Sequence, residues 1–115
     1  MKILFVENHS IFASQVVPQF LSTHEVTVVP SLAKARSALA SGAFDLLLVD
    51  FDLDDGKGEE LVTEVRSSKP ALKIIGVSAH EPGNQALLKA GANATCSKMK
   101  FDEIESVIRQ VSGEH

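Results

Sequence analysis

Four short polar stretches each follow an apolar run. Glu7-Asn8 follows Ile3 to Val6, Asp50-Phe51-Asp52 follows Leu46 to Val49, Ser78-Ala79 follows Ile74 to Val77, and Ser97-Lys98 closes the run from Ala92. If these runs are neighbouring strands of one sheet, carboxylates, a hydroxyl and an ammonium meet on a single rim. Carboxylates gathered without a counter-ion repel one another and their pKa values rise, so the cluster calls for a lysine or a divalent cation. Lys98 is the candidate lysine, and hard oxygen ligands suit Mg2+, which takes one or two carboxylates and keeps water or phosphate oxygens elsewhere. Toward a phosphoryl donor the groups divide by chemistry. Asp50 is the candidate nucleophile, its carboxylate oxygen attacking phosphorus to give an aspartyl phosphate. Lys98 and a metal would neutralise the equatorial oxygens, which is most of the catalysis such a transfer needs. Ser78 can hydrogen-bond a phosphoryl oxygen after transfer, and a contact made only with phosphate gives the following loop a reason to change conformation.

The elements that must position these groups are legible as periodicity. Five apolar runs predict strands: Ile3 to Val6, Val26 to Val29, Leu46 to Val49, Leu72 to Val77 and Ala92 to Ser97. They are continuous rather than alternating and rich in Val, Ile and Leu, as expected of parallel strands buried on both faces. Between them, Ser10 to Ser22 reads as a helix that Pro18 should kink or shorten. Leu32 to Ser41 follows with Ser31 as N-cap and Gly42 as stop, and Gly58 to Ser68 is ended by Pro70. Gly83 to Lys89 is stopped by Gly91, and a last helix capped by Asp102 carries Ile104, Val107, Ile108 and Val111 at helical spacing. The sum is (βα)5, which implies a doubly wound α/β sandwich with right-handed crossovers. In such open sheets the working site lies beyond the carboxyl ends of the strands, where the polar stretches fall.

Composition narrows the classes. With 115 residues, 44% apolar and 23% charged, the chain reads as one domain, residues 1–115, with Ser112 to His115 as a tail. A single cysteine, Cys96, excludes an internal disulfide, and no Cys/His set has zinc-ligand spacing. Cys96 reads as a small core residue. The net charge of -4 and the absence of a basic run argue against nucleic acid or an anionic membrane as partner. The first apolar run is too short for a signal peptide or a membrane span, so a cytoplasmic location is expected. Of the histidines, His9 and His80 fall near the rim and could tune its charge. Asp50-Phe51-Asp52-Leu53-Asp54 imitates an EF-hand loop, but Asp55 stands where glycine is needed and Leu61 where the bidentate glutamate is needed.

Taken together, the chain resembles the response-regulator receiver domains of two-component signalling, of the chemotaxis-regulator type, over essentially its whole length. The resemblance rests on Ile3-Leu4-Phe5-Val6-Glu7-Asn8, Phe44-Asp45-Leu46-Leu47-Leu48-Val49-Asp50, Gly58, Ile74-Ile75-Gly76-Val77-Ser78-Ala79, and Lys89-Ala90-Gly91-Ala92 with Lys98. It implies a flavodoxin-like three-layer fold with strand order 2-1-3-4-5. It implies Asp50 as phospho-acceptor, Ser78 as switch hydroxyl and Lys98 as phosphate contact, with Mg2+ held by Glu7, Asn8, Asp50 and the Asp52 carbonyl. The implied partners are a sensor histidine kinase or phosphotransfer protein upstream, and a downstream protein or fused output domain, with a homodimer as a further option. Any enzyme activity would be confined to its own phosphorylation and dephosphorylation.

Four departures carry expectations of their own. Asn8 stands where the family has an aspartate, which weakens metal affinity unless the Asp52 side chain restores the charge, in which case Asp52→Ala abolishes metal binding. Met99 follows Lys98 in place of proline, so no cis bond is expected there. Thr95 occupies the place of an aromatic switch residue and has no ring to rotate. The segment from Ser78 to Gly91 is about two residues short, which predicts a truncated or mobile fourth helix. The Asp50-x-Asp52 pair also resembles haloacid-dehalogenase-type phosphatases, but the chain ends before their further acidic motifs. A pseudo-receiver, an interaction module that is not phosphorylated, is the alternative that Asn8, Thr95 and Met99 favour.

Overall fold

The apolar runs pair side by side, all in one direction. The computed structural model describes residues 1–113. In it β1 (Lys2–Val6), α1 (Ser10–Phe20), β2 (Glu25–Val29), α2 (Leu32–Ser41) and β3 (Leu46–Val49) form the first half. A small antiparallel ribbon, β4 (Asp52–Leu53) and β5 (Gly56–Lys57), leads into α3 (Gly58–Ser68). The second half is β6 (Lys73–Gly76), α4 (Glu81–Ala90), β7 (Ala94–Thr95), a 3-10 turn over Lys98–Glu103 and α5 (Ile104–Ser112). The parallel sheet has the order β2-β1-β3-β6-β7, which is the expected 2-1-3-4-5 once the ribbon is counted apart.

Burial on both faces explains the unbroken apolar runs. Leu4, Val6, Leu47, Val49 and Ile74 pack on one side with residues of α2, α3 and α4. Ile3, Phe5, Leu46, Leu48 and Ile75 pack on the other with residues of α1 and α5. Removing each such side chain from water contributes about 1.5–3 kcal/mol, enough to order strands of only four or five residues. Phe101 anchors the second layer, stacked on Phe5 at 5.9 Å and meeting Phe12 and Phe20 edge-on.

The register sets the functional rim. Val6 is level with Val29 on one side and Val49 on the other, and Val49 is level with Gly76, so the strands end together. Glu7, Asp50 and Ser78 therefore emerge along one edge.

Several boundaries differ from the sequence expectation. α1 runs through Pro18 and ends at Phe20, not Ser22. Pro18 lacks an N–H, which removes one bond to Ser14, and the helix resumes with the Leu21 N–H donating to Val17. α4 is not truncated. It spans ten residues and begins at Glu81, because Pro82 fits a first turn whose N–H groups have no intrahelical partner. β7 pairs over two residues only, against an expected Ala92 to Ser97. Asp102 does not cap the last helix. Ser97 opens a 3-10 turn by accepting the Met99 N–H, and α5 follows directly with no side-chain cap. Ser112 closes α5 and Gly113 caps it with φ 79°, while Glu114 and His115 lie outside the described residues. No helix among the described residues is long and apolar enough to cross a membrane.

Candidate functional site

β1 and β3 deliver two carboxylates to the same place. Glu7 and Asp50 are 1% and 4% exposed, and both face the ammonium of Lys98. Lys98 Nζ donates to Asp50 Oδ2 at 2.9 Å and to Glu7 Oε2 at 2.9 Å, with Glu7 Oε1 at 2.8 Å as a further ion-pair contact. The 3-10 turn places Lys98, whose backbone N–H donates to the Ser78 carbonyl at 3.1 Å. The ring of Phe12 lies under the ammonium, 5.1 Å from its centroid, an additional cation-π attraction. Two carboxylates thus share one cation. Burial pushes the Glu7 carboxyl above its ordinary range and the charge of Asp50 adds to the rise, against the opposing hydrogen bond from Lys98.

The backbone behind Asp50 is fixed as well. Asp50 Oδ1 accepts the Phe51 N–H at 2.8 Å, and the Gly58 N–H donates to the Phe51 carbonyl at 2.7 Å. A Cβ at position 58 would overlap the Asp50 carbonyl oxygen, so only glycine allows α3 to start there.

Ser78 is 1% exposed and held through its backbone. Its N–H donates to Asn84 Oδ1 at 3.0 Å, and its carbonyl accepts Asn84 Nδ2 at 3.3 Å as well as the Lys98 N–H. Its hydroxyl accepts the His80 N–H at 3.4 Å. Asp50, Ser78 and Lys98 open onto one pocket of about 140 Å³, with His9, Asp52 and His80 on its rim.

The acidic pair fits a divalent cation by its donor set. One ligand atom each of Glu7, His9 and Asp50 lies within 4.8 Å of the others. Asn8 Oδ1 is buried with no hydrogen-bond partner, an unpaired hard oxygen on the residue that follows Glu7. Asn8 Nδ2 donates to Asp54 Oδ1 at 3.1 Å, so the carboxylate that meets Asn8 is that of Asp54. The Asp52 carboxylate is instead paired with Lys57 and lies 3.4 Å from His80 Nε2. The hydrogen bond from Lys57 holds Asp52 below the usual carboxylate range.

Asn84, Asp54 and Asp55 were not singled out by sequence reasoning. Asn84 carried a signal, since a polar residue three positions before the buried Leu87 falls on the core face of α4. Asp55, whose carboxylate accepts the Leu32 and Ala33 N–H groups at the start of α2, carried none. Thr95 is half-buried on β7, and the Cys96 thiol is buried, its pKa pushed up to about 11 by desolvation and by the nearby Glu103 and Asp102.

Comparison with known proteins shows the family of the chain. Residues 3–109 match the model of the response regulator receiver domain, and the chain belongs to that family, whose setting is two-component signalling. Among curated relatives it is 32% identical over 79 residues to the response regulator protein VraR of Staphylococcus epidermidis, covering 65% of this chain and 37% of that protein. The VraR of Staphylococcus aureus is 27% identical over 78 residues, with the same coverage. The chain thus spans little more than a third of the length of these relatives.

Among solved structures, the response regulator TrrA from Thermotoga maritima, in complex with Mg2+ and BeF, superposes with a TM-score of 0.86 at 22% identity, covering 96% of this chain and 97% of that one. The receiver domain of a sensor histidine kinase from Pseudomonas aeruginosa, with a magnesium ion coordinated in its active-site cleft, gives 0.84 at 23%, covering 98% of each chain. At these identities the structural likeness concerns the fold, which is the flavodoxin-like receiver fold.

Proposed function

We propose that the chain accepts a phosphoryl group on Asp50 from a sensor histidine kinase or phosphotransfer protein, and that the modified domain presents a changed surface to a downstream protein or fused output domain. The observation that carries this is one lysine ammonium shared between two buried carboxylates beside a small open pocket. Burying carboxylates is costly, and that cost is the signature of a site arranged for charge rather than for packing alone. A carboxylate oxygen of Asp50 forms the new bond to phosphorus as the bond from phosphorus to the donor breaks, the leaving group departing with that bond's electron pair. Lys98 is already within hydrogen-bond reach of Asp50 and follows the charge to a phosphoryl oxygen, and the Phe51 N–H steadies the other carboxylate oxygen.

Mg2+ would be held by Glu7, Asn8, Asp50 and the Asp52 carbonyl, and when bound it supplies neutralisation of phosphoryl oxygens. Asn8 in place of a carboxylate lowers the affinity for that ion. Ile11 and Met99, 73% and 79% exposed, follow His9 and Lys98 closely in the chain and offer apolar contacts to a partner approaching the pocket. We place the domain in the cytoplasm, on the side where a kinase holds its phosphohistidine.

The test is intact-mass spectrometry after incubation with acetyl phosphate, with and without Mg2+, on wild type and Asp50→Asn. The expected result is a gain of one phosphoryl group that depends on Mg2+ and is lost in the variant. The neutral Asn8 favours a second reading, an interaction module that is not phosphorylated. No mass gain in wild type, with no Mg2+ binding by titration, decides for it.

A further inference from the structure

We propose that Asn84 is the positioning residue through which a phosphoryl group at Asp50 moves α4. The inference rests on Asp50 being the acceptor.

Asn84 is 5% exposed in the first turn of α4, and both ends of its amide are spent on the backbone of Ser78. The same turn is tied a second time, since the Gly83 N–H donates to His80 Nδ1 at 3.2 Å. It is also pressed against Ser78, because a Cβ at Gly83 would lie 2.6 Å from Ser78 Oγ and 2.9 Å from His80 Cε1. The start of α4 is therefore seated on Ser78 by two buried hydrogen bonds and a contact that leaves no free space.

The opposite side of Ser78 is tied to the acceptor. Its carbonyl takes the Lys98 N–H together with Asn84 Nδ2, so one oxygen joins the turn that carries the ammonium to the helix that carries Asn84. A phosphoryl group on Asp50 makes two new demands. It draws Lys98 Nζ from a carboxylate oxygen to a phosphoryl oxygen, and it offers an acceptor to Ser78 Oγ, whose present neighbours are Gly83 and the His80 N–H. Both pulls act on Ser78. Moving its backbone without α4 would leave a buried amide unpaired, which costs more than the hydrogen bond itself contributes. The helix therefore moves with Ser78, and Leu88, 39% exposed on α4, moves with it. No aromatic ring is needed for this route, which suits a chain with Thr95 on β7.

The experiment is hydrogen exchange read by mass spectrometry on peptides covering α4, with and without acetyl phosphate and Mg2+. It is run on wild type, Asn84→Leu and Asn84→Asp, with phosphoryl occupancy taken from the intact mass of each sample. In wild type, phosphorylation changes exchange in the first turn of α4 roughly tenfold, the scale of loosening the bonds that the Gly83 and Asn84 N–H groups donate to His80. Per phosphoryl group, Asn84→Leu loses that response. Asn84→Asp keeps the acceptor for the Ser78 N–H but not the donor to its carbonyl, and retains part of the response. Should Asn84→Leu lack native far-UV circular dichroism, Asn84→Asp decides. A response in the folded variants equal to wild type overturns the inference, as does phosphorylated wild type with no change in α4. Absence of any phosphoryl gain in wild type overturns the receiver reading and this inference together, and the mass record separates that case from the others.

Discussion

The rim of the sheet has two halves built on different physics. On β1 and β3, Glu7 and Asp50 bury two negative charges against one ammonium and leave Asn8 Oδ1 without a partner. On β6 and α4, Ser78 and Asn84 bury neutral groups, and each backbone bond is answered by an amide of the right polarity. The first half is electrostatically unfinished. The second has its backbone groups answered as it stands, which under the inference above suits it to transmit displacement rather than absorb it. A switch needs both, a place where charge can change and a place that does not relax when it does.

Breaking the charged half should have the largest effect. Lys98→Met leaves two buried carboxylates facing each other without a counter-ion, and a loss of about 3 kcal/mol in urea unfolding is expected, together with loss of phosphoryl uptake. Gly58→Ala tests the backbone under the same half. Its Cβ meets the Asp50 carbonyl oxygen, so the start of α3 must shift, with a cost of about 1–3 kcal/mol by denaturant melt and reduced labelling of Asp50 by acetyl phosphate. Gly83→Ala intrudes on the neutral half, where the obstruction is the Ser78 hydroxyl and the His80 ring edge and not backbone. Side chains yield more readily, so a loss of about 1 kcal/mol is expected, with altered amide shifts confined to the Ser78–Asn84 region in two-dimensional NMR.

The smallest effect sharpens the contrast through pH. Because burial holds the Glu7 carboxyl above its ordinary 4.5, the folded chain binds that proton more tightly than the unfolded chain. The stabilising contribution of Glu7 is therefore present at low pH and is lost as pH rises from about 4.5 through the folded value. Metal-free Glu7→Gln titrates nothing there, so its thermal stability should fall less between about pH 4.5 and 7 than that of wild type. An equal decline in both would mean that the charged half is not under electrostatic strain.

How much of this could be read from the sequence depended on whether the determinant was local. β1, β3 and the place of Asp50 at the end of β3 are legible because a run buried on both faces has no polar interruption until it leaves the sheet. β7 was overread, since Asn93 and Ser97 flank only two paired residues at a sheet edge, and an edge strand needs fewer apolar positions. Asp102 and Ser97 are both good capping residues, and nothing local says that a 3-10 turn intervenes and hands the role to Ser97. The start of α4 was misplaced at Gly83 although Pro82 marks a first turn. Asn8 was recognised as a departure, but its partner Asp54 lies 46 residues away and is set by the ribbon β4–β5, which no periodicity announces. The same ribbon sets the contacts of the Asp52 carboxylate, which is paired with Lys57 and lies near His80.

The sharing of one ammonium by two carboxylates also bears on encounter rates. With both carboxylates ionised, the Glu7, Asp50 and Lys98 trio carries one negative charge in excess, on a chain whose formal net charge is -4. Under the proposed function, a small phosphoryl donor, itself an anion, should be repelled as it approaches Asp50, and monovalent salt that shortens the Debye length should speed its association. A protein donor can cancel the same repulsion with its own basic residues. Under the proposed function, the electrostatics of the site would discriminate by diffusion, slowing free metabolite phosphates more than a partner that brings its own positive charge.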